Sequence, residues 1–97
     1  MNMYRQGDVL IIRVSTLPGG LKERASRVVM EGEATGHAHV LEEGRVLVDA
    51  EGALFLDVPQ RSQVVHEEHR AIVLEPGIYR IVRQREYTPE AIREIMD

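Results

Sequence analysis

All four histidines of this 97-residue chain lie in two tight pairs. His37 and His39 are separated by one residue in TGHAHV, and His66 and His69 by two residues in VHEEHR. Imidazole is a ligand for Zn, Cu, Fe and Ni, and it titrates near neutral pH. Two such pairs therefore predict either a metal site or an acid–base site.

The spacing within each pair indicates how its rings are presented. In a strand, residues i and i+2 point to the same face, so His37 and His39 would project together, with Gly36 letting the backbone bend just before them. A spacing of three puts residues on opposite faces of a regular strand. The HEEH segment lies between two apolar runs, so we expect it to form a turn or a bulge that turns its histidines towards the site.

We expect the two pairs to meet on one divalent transition metal, namely Zn, Ni or Fe. The predicted ligands are His37, His39, His66 and His69. Because the chain has no cysteine, any further ligand must be a carboxylate. The glutamates near the pairs, which could bind the metal or orient the imidazole N–H groups, are Glu42, Glu43, Glu67 and Glu68. Whether the protein is an enzyme is left open by the sequence.

Two other functions fit the same residues. In the first, the protein is a non-enzymatic interaction or assembly module and its histidines are structural. In the second, it is a metal-independent phosphodiesterase in which histidines act as general acid and base. Arg70 or Arg85 would then bind the phosphate, with Tyr87 nearby. Ordinary surface ion pairs with the many glutamates account for these arginines more simply.

Short β-strands are the elements that must position these residues. There is no Trp and only one Phe, so the core must be built from Val, Ile and Leu, a composition that favours sheets. The segment 50–53 predicts a hairpin turn with a positive φ at Gly52, and Pro76-Gly77 predicts a type II turn. The runs read as strands are 9–14, 27–31, 39–42, 45–49, 54–58, 63–66, 71–74 and 78–83.

These elements predict a single all-β domain over residues 1–97. Its expected form is a small antiparallel β-barrel or sandwich of about seven short strands. Thr88 is a good N-cap and Pro89 suits the first helical position, so a short C-terminal helix is expected over 88–97.

Composition narrows the expected partners and location. A net charge of −4 argues against a nucleic-acid partner. No apolar run approaches the roughly 20 residues that span a bilayer, so no membrane segment is expected. The lack of cysteine fits a soluble, cytoplasmic protein. The small core favours a homo-oligomer, since association would bury more apolar surface. A small-molecule ligand is left unspecified.

Two resemblances follow from these motifs. The segments YRQGDVL, GEATGHAHVL, HEEH and REYTPE resemble a family of small, uncharacterised bacterial and phage proteins, which implies no particular reaction. Locally, His37-Ala38-His39 followed by three residues and Glu43 resembles the first metal-binding motif of cupins. The second cupin motif, PxG followed by a ligand histidine, is not matched at Pro76-Gly77. His66 or His69 would have to supply the third ligand.

Overall fold

The computed structural model describes residues 3–31 and 36–84. All regular elements in this part of the chain are β-strands. The helix predicted over 88–97 lies outside the described residues. The strands are β1 Met3–Gln6, β2 Val9–Val14, β3 Lys22–Glu23, β4 Val28–Glu31, β5 Ala38–Leu41, β6 Arg45–Val48, β7 Leu54–Val58, β8 Ser62–Val65, β9 Ile72–Leu74 and β10 Gly77–Arg83.

The strands form two antiparallel sheets. The large sheet has the order β1-β2-β10-β7-β6-β3, and the small sheet has the order β4-β5-β8-β9. Because the two sheets do not join into one closed sheet, the sandwich alternative of the sequence prediction is confirmed and a closed barrel is not formed. The all-β class is confirmed as well.

The main core lies between the two sheets and is aliphatic apart from Tyr79. Every strand except β1 and β3 contributes buried side chains from its inner face, as the period of two in a strand requires. The buried members of this core are Val9, Ile11, Val46, Leu56, Val58, Tyr79 and Ile81 from the large sheet, and Val29, Leu41, Val64 and Leu74 from the small sheet.

Strand β2 is buried on both faces. Its alternate residues Leu10 and Ile12 form a second apolar cluster with Val82, on the face opposite the main core. A strand that is buried on both sides reads as a continuous apolar run rather than an alternation. This explains why its position could be read directly from the sequence.

The predicted hairpin between β6 and β7 is confirmed. Asp49 Oδ1 accepts hydrogen bonds from the backbone N–H groups of Glu51 and Ala53, at 2.9 and 2.8 Å. Gly52 has a φ of 88°, which an L side chain rarely adopts. This local hydrogen bonding determines the register in which Leu47 pairs with Phe55.

Two local predictions were wrong or incomplete. Gly77 lacks the positive φ that a type II turn requires, and it instead begins β10, paired with Val58. A Cβ added to Gly77 would lie 2.8 Å from Nη2 of the exposed Arg13 side chain, which donates to the Pro76 carbonyl oxygen, and would displace this guanidinium. Strands β1 and β3 were not predicted, because neither carries an apolar run.

Candidate functional site

The four histidines come together where three segments meet. His37 and His39 lie at the start of β5, in the small sheet. His66 and His69 lie in the loop that joins β8 to β9. The tip of the β1–β2 hairpin, from the large sheet, closes the third side.

His66 is the central ring of this histidine cluster. Its centroid lies 5.7 Å from that of His37, 4.4 Å from that of His39 and 4.6 Å from that of His69. The rings of His39 and His69 are nearly parallel, with centroids 6.2 Å apart. Both pairs therefore contribute to one cluster, as the metal-site prediction requires.

Two backbone features set the direction of the β5 histidines. Gly36, just before the pair, has a φ of 73°, a conformation that glycine adopts more readily than other residues. Opposite the pair, β4 carries a register shift: Met30 pairs with His39 while Val28 pairs with Val40, so Val29 is the extra residue of a bulge. Bulges re-aim neighbouring side chains. The bulge thus lies in β4 and not in HEEH. The HEEH segment forms a turn-like loop, which was the other form predicted for it.

His39 is buried and held by a glutamine that the sequence reading overlooked. Only 3% of His39 is exposed, and its Nδ1 lies 2.8 Å from Oε1 of Gln6. The Gln6 amide nitrogen donates to the carbonyl oxygens of Val64, at 3.0 Å, and Arg70, at 2.9 Å. Gln6 belongs to the large sheet and its partners to the small sheet and the adjoining loop, so this network links the two layers at the site.

The environment of His39 keeps its imidazole neutral. Burial lowers the pKa of His39 below its usual value, and the neighbouring His66 and His69 lower it further. Asp8 and Glu67 oppose this shift but do not reverse it. A neutral imidazole retains a lone pair that can bind a metal or accept a proton.

Two adjacent glutamates lie beside His37 and His66. Glu67 Oε2 accepts from the Ala38 N–H at 3.3 Å. A hydrogen bond from its own backbone N–H, then that from Ala38, lowers the pKa of Glu67 and keeps it a carboxylate. Glu68 Oε1 lies 3.2 Å from His37 Nδ1, and the Glu68 N–H donates to His66 Nδ1 at 3.0 Å.

Among the described residues, a compact set of donor atoms comes from His37, His66 and Glu67. One donor atom from each lies within 4.8 Å of the others. In a tetrahedral zinc site with bonds of about 2.0–2.1 Å, ligand atoms are roughly 3.4 Å apart. Shifts on the order of 1 Å in these partly exposed side chains would close the set around an ion.

His69 occupies a different setting at the edge of the cluster. It is exposed and lies against Gly7 in the two-residue turn between β1 and β2. Gly7 has a φ of 60° and Asp8 does not have a positive φ, which is the pattern of a type II′ turn. The positive φ favours glycine, and a Cβ at Gly7 would lie 2.7 Å from His69 Nε2 and so displace this exposed ring.

Glu42 and Glu43 do not reach the cluster. Glu42 Oε2 accepts from Gln63 Nε2 at 2.7 Å, and the Glu43 N–H donates to Ser62 Oγ at 2.9 Å. Both partners lie at the start of β8, whereas His66 follows its end, roughly 10–13 Å away at about 3.3 Å per residue. Neither Glu42 nor Glu43 belongs to the group of possible metal ligands found among the described residues.

A shallow groove adjoins the compact donor set. Its volume is about 290 Å³, and its walls include Ala38, Val40 and Val65 together with His66 and Glu67. The aliphatic side chains give the groove a mainly apolar surface. Two of the three candidate donors can therefore be reached by a small molecule from this side.

The residues of the phosphodiesterase alternative are only partly described. The carbonyl oxygen of Arg70 is used in the Gln6 network, and its exposed side chain lies beside the loop pair. Arg85 and Tyr87 lie outside the described residues.

Over residues 3–31 and 36–84, no helix is long and apolar enough to cross a membrane.

Comparison with known proteins gives a family but no activity. The model of a domain of unknown function, DUF8820, matches residues 5–84, which include Gln6 and all four histidines. No curated protein sequence and no solved structure matches the chain. The match agrees with a family that has no assigned reaction, and it lends no support to a cupin assignment.

Proposed function

The chain belongs to the DUF8820 family, a domain of unknown function, and from its histidine cluster we propose that it binds one divalent transition-metal ion. The single observation that carries the proposal is the central position of His66, whose ring lies within 5.7 Å of each of the other three imidazoles. Histidines that serve only as surface polar groups have no reason to gather from two separate segments.

The proposed ligands are His37, His66 and Glu67, with His39 completing a four-coordinate site. The first three supply the compact donor set. His39 adjoins His66, and its neutral imidazole needs no deprotonation before it binds. His69 contacts His66 but lies outside the compact set, so in this proposal it covers the site rather than coordinating the ion.

The chemistry of these donors favours Zn, Ni or Fe over Mg or Ca. Imidazole nitrogen suits the transition metals, whereas Mg and Ca prefer sites built from oxygen ligands. Glu68, at 3.2 Å from His37 Nδ1, is placed to orient that ring, as carboxylates do beside histidine ligands. The ion would lie beside the apolar groove, where a small molecule could reach it.

Metal binding must change one hydrogen bond. His66 Nδ1 now accepts from the Glu68 N–H, so the neutral ring carries its proton on Nε2. A metal at Nδ1 displaces that N–H, and a metal at Nε2 moves the ring proton to Nδ1, where it opposes the same N–H. In either case we expect the Glu68 amide resonance to shift when zinc or nickel is added.

A titration of untagged protein with zinc tests the proposal. Isothermal titration calorimetry at pH 7.5 and pH 5 should show one site per chain at the higher pH and much weaker binding at the lower, because protonated imidazoles do not bind metal. Glu67→Gln should weaken binding, whereas the matched control Glu42→Gln should not. Equal effects of these two variants, or no binding at pH 7.5, would reject the proposed site.

A structural role for the histidines is the second candidate function. It is favoured by the Gln6 network, which links the two sheets through buried His39 and would do so without a metal. In that case the protein would be an interaction or assembly module. His37→Ala with His66→Ala would then leave partner binding and metal content unchanged.

The remaining expectations stay predictions from the sequence. They are a cytoplasmic location and assembly into a homo-oligomer. A metal-independent phosphodiesterase also stays a prediction, because two of its three non-histidine residues, Arg85 and Tyr87, lie outside the described part of the chain.

A further inference from the structure

The side-chain amide of Gln6 has one orientation that satisfies its surroundings. Gln6 is only 2% exposed, and its Nε2 lies within hydrogen-bonding distance of two carbonyl oxygens, those of Val64 and Arg70. A carbonyl can only accept, so both amide hydrogens point to these groups. The reverse orientation would place Oε1 against two other oxygens. Oε1 is therefore the atom that faces His39.

This orientation determines which nitrogen of His39 carries the proton. Gln6 Oε1 lies 2.8 Å from His39 Nδ1 and cannot donate, so Nδ1 must be the donor. A neutral imidazole has a single N–H. The lone pair of His39 is consequently on Nε2, away from Gln6, on a ring whose nearest imidazole neighbour is His66 at 4.4 Å.

His66 has the opposite arrangement. Its Nδ1 accepts from the Glu68 N–H, so its neutral ring is protonated at Nε2. His39 can thus bind a metal without moving a proton, whereas His66 must exchange a hydrogen bond first. The two rings differ because Gln6 presents an acceptor and the Glu68 backbone presents a donor.

We propose that Gln6 is a positioning residue that fixes His39 in the Nδ1–H tautomer and so presents its Nε2 lone pair to the metal ion. The inference deepens the proposed metal site and rests on it. A purely structural Gln6, which only joins the two sheets, would affect folding stability without affecting zinc affinity.

Two-bond ¹H–¹⁵N correlation spectra of the metal-free protein read the tautomer directly. At about pH 8, above the ordinary histidine pKa of about 6.5, we expect His39 in the wild type to show a protonated Nδ1 and an unprotonated Nε2. His66 should show the reverse. A wild-type spectrum in which His39 is protonated at Nε2, or averages both tautomers, overturns the proposal without any variant.

Gln6→Met removes the acceptor and keeps an unbranched side chain of similar length. We expect His39 in this variant to populate both tautomers and the zinc affinity to fall about 10- to 100-fold, the usual effect of losing a group that orients a metal ligand. Gln63→Met is the matched control, because Gln63 lies at the far end of β8 and bonds Glu42. It should change neither quantity. Gln6→Met with the wild-type tautomer and affinity overturns the proposal.

The design separates this proposal from the metal site on which it rests. The tautomers are read without metal, so a wild type that shows the expected tautomer but takes up no zinc rejects the metal site and with it the ligand role of His39. Should Gln6→Met fail to fold, the shorter Gln6→Asn replaces it, and the wild-type spectrum still decides the tautomer.

Discussion

The strand pair, His37 and His39, and the loop pair, His66 and His69, reach the same cluster by different means. The strand pair is directed by β5 itself, whose register with β4 sets the position of His39. The loop pair has no ladder. Its rings are placed by contacts outside the pair, namely the Glu68 N–H on His66 and the Gly7 turn under His69.

Each pair also contains one inner and one outer ring. The inner and outer rings should differ in their effects on folding stability and metal binding. His39 is buried and bonded to Gln6, and His66 contacts all three other rings. His37 is half-buried beside Glu68, and His69 is exposed. We therefore expect His39 to contribute to folding stability as well as to metal binding, His66 chiefly to metal binding, and His69 least to either.

The largest expected effect concerns the loop pair. His66→Ala should weaken zinc binding by on the order of 100-fold or more, because it removes a ligand rather than a group that orients one. His69→Ala, its matched control from the same loop, should change the affinity only a few-fold. Calorimetric titration measures both. Similar losses of zinc affinity in the two variants would show that His66 and His69 contribute equally to binding.

The two histidines of the strand pair should differ in their contribution to folding stability. His39→Ala leaves Oε1 of Gln6 buried without its donor, which costs about 1–3 kcal/mol. His37→Ala should stay within about 0.5 kcal/mol of the wild type, as is usual for partly exposed positions. Urea unfolding of the metal-free proteins gives both values. Equal destabilisation would mean that the buried network does not stabilise the junction of the sheets.

Gly7 tests the contact that places the loop pair. Gly7→Ala forces an L side chain into a positive φ, at a cost of about 1–2 kcal/mol, and its Cβ meets His69 Nε2. Adding His69→Ala should recover the part of the loss that comes from this contact, but not the backbone part. A double-mutant cycle of unfolding free energies measures the coupling. An additive cycle would show that His69 does not press on the turn.

The smallest effect is a pH dependence of the metal-free protein. The pKa of His39 is lower in the folded protein than its ordinary value near 6.5, so the unfolded chain binds more protons below that pH. Stability from this group is complete above pH of about 6.5 and is lost as the pH falls towards the folded pKa. The lowered pKa of Glu67 acts only below about 4.5.

Thermal unfolding of metal-free protein between pH 7.5 and 5 measures this dependence. The midpoint should fall on acidification, and it should fall less in His39→Asn. If the stability of the wild type rose as the pH was lowered from 7.5 to 5, the result would contradict the lowered pKa of His39.

Much of the sandwich could be predicted because strong apolar runs specify it. The continuous run of β2 and the β6–β7 hairpin follow from composition and turn chemistry within a few residues. Strand β1 could not be predicted in this way, because its four residues MYRQ are stabilised by pairing with β2 rather than by their own pattern. The same applies to the two-residue β3.

The site could be predicted only in part, for a related physical reason. The convergence of two pairs followed from residue type and spacing, whereas Gln6 carries no local signal. Its role depends on Val64 and Arg70, which are 58 and 64 positions away. The choice of Glu67 over Glu43 likewise depends on which end of β8 faces the histidines, which only the sheet order determines.

The central claim is that the strand pair and the loop pair converge on one ion. Its most direct test is a crystal structure of untagged protein grown with zinc, with diffraction data collected across the zinc absorption edge. We expect one anomalous peak per chain, about 2.0–2.1 Å from imidazole nitrogens of both pairs, with His66 among them. No peak at the cluster, or a peak bound only to exposed His69, would contradict the claim.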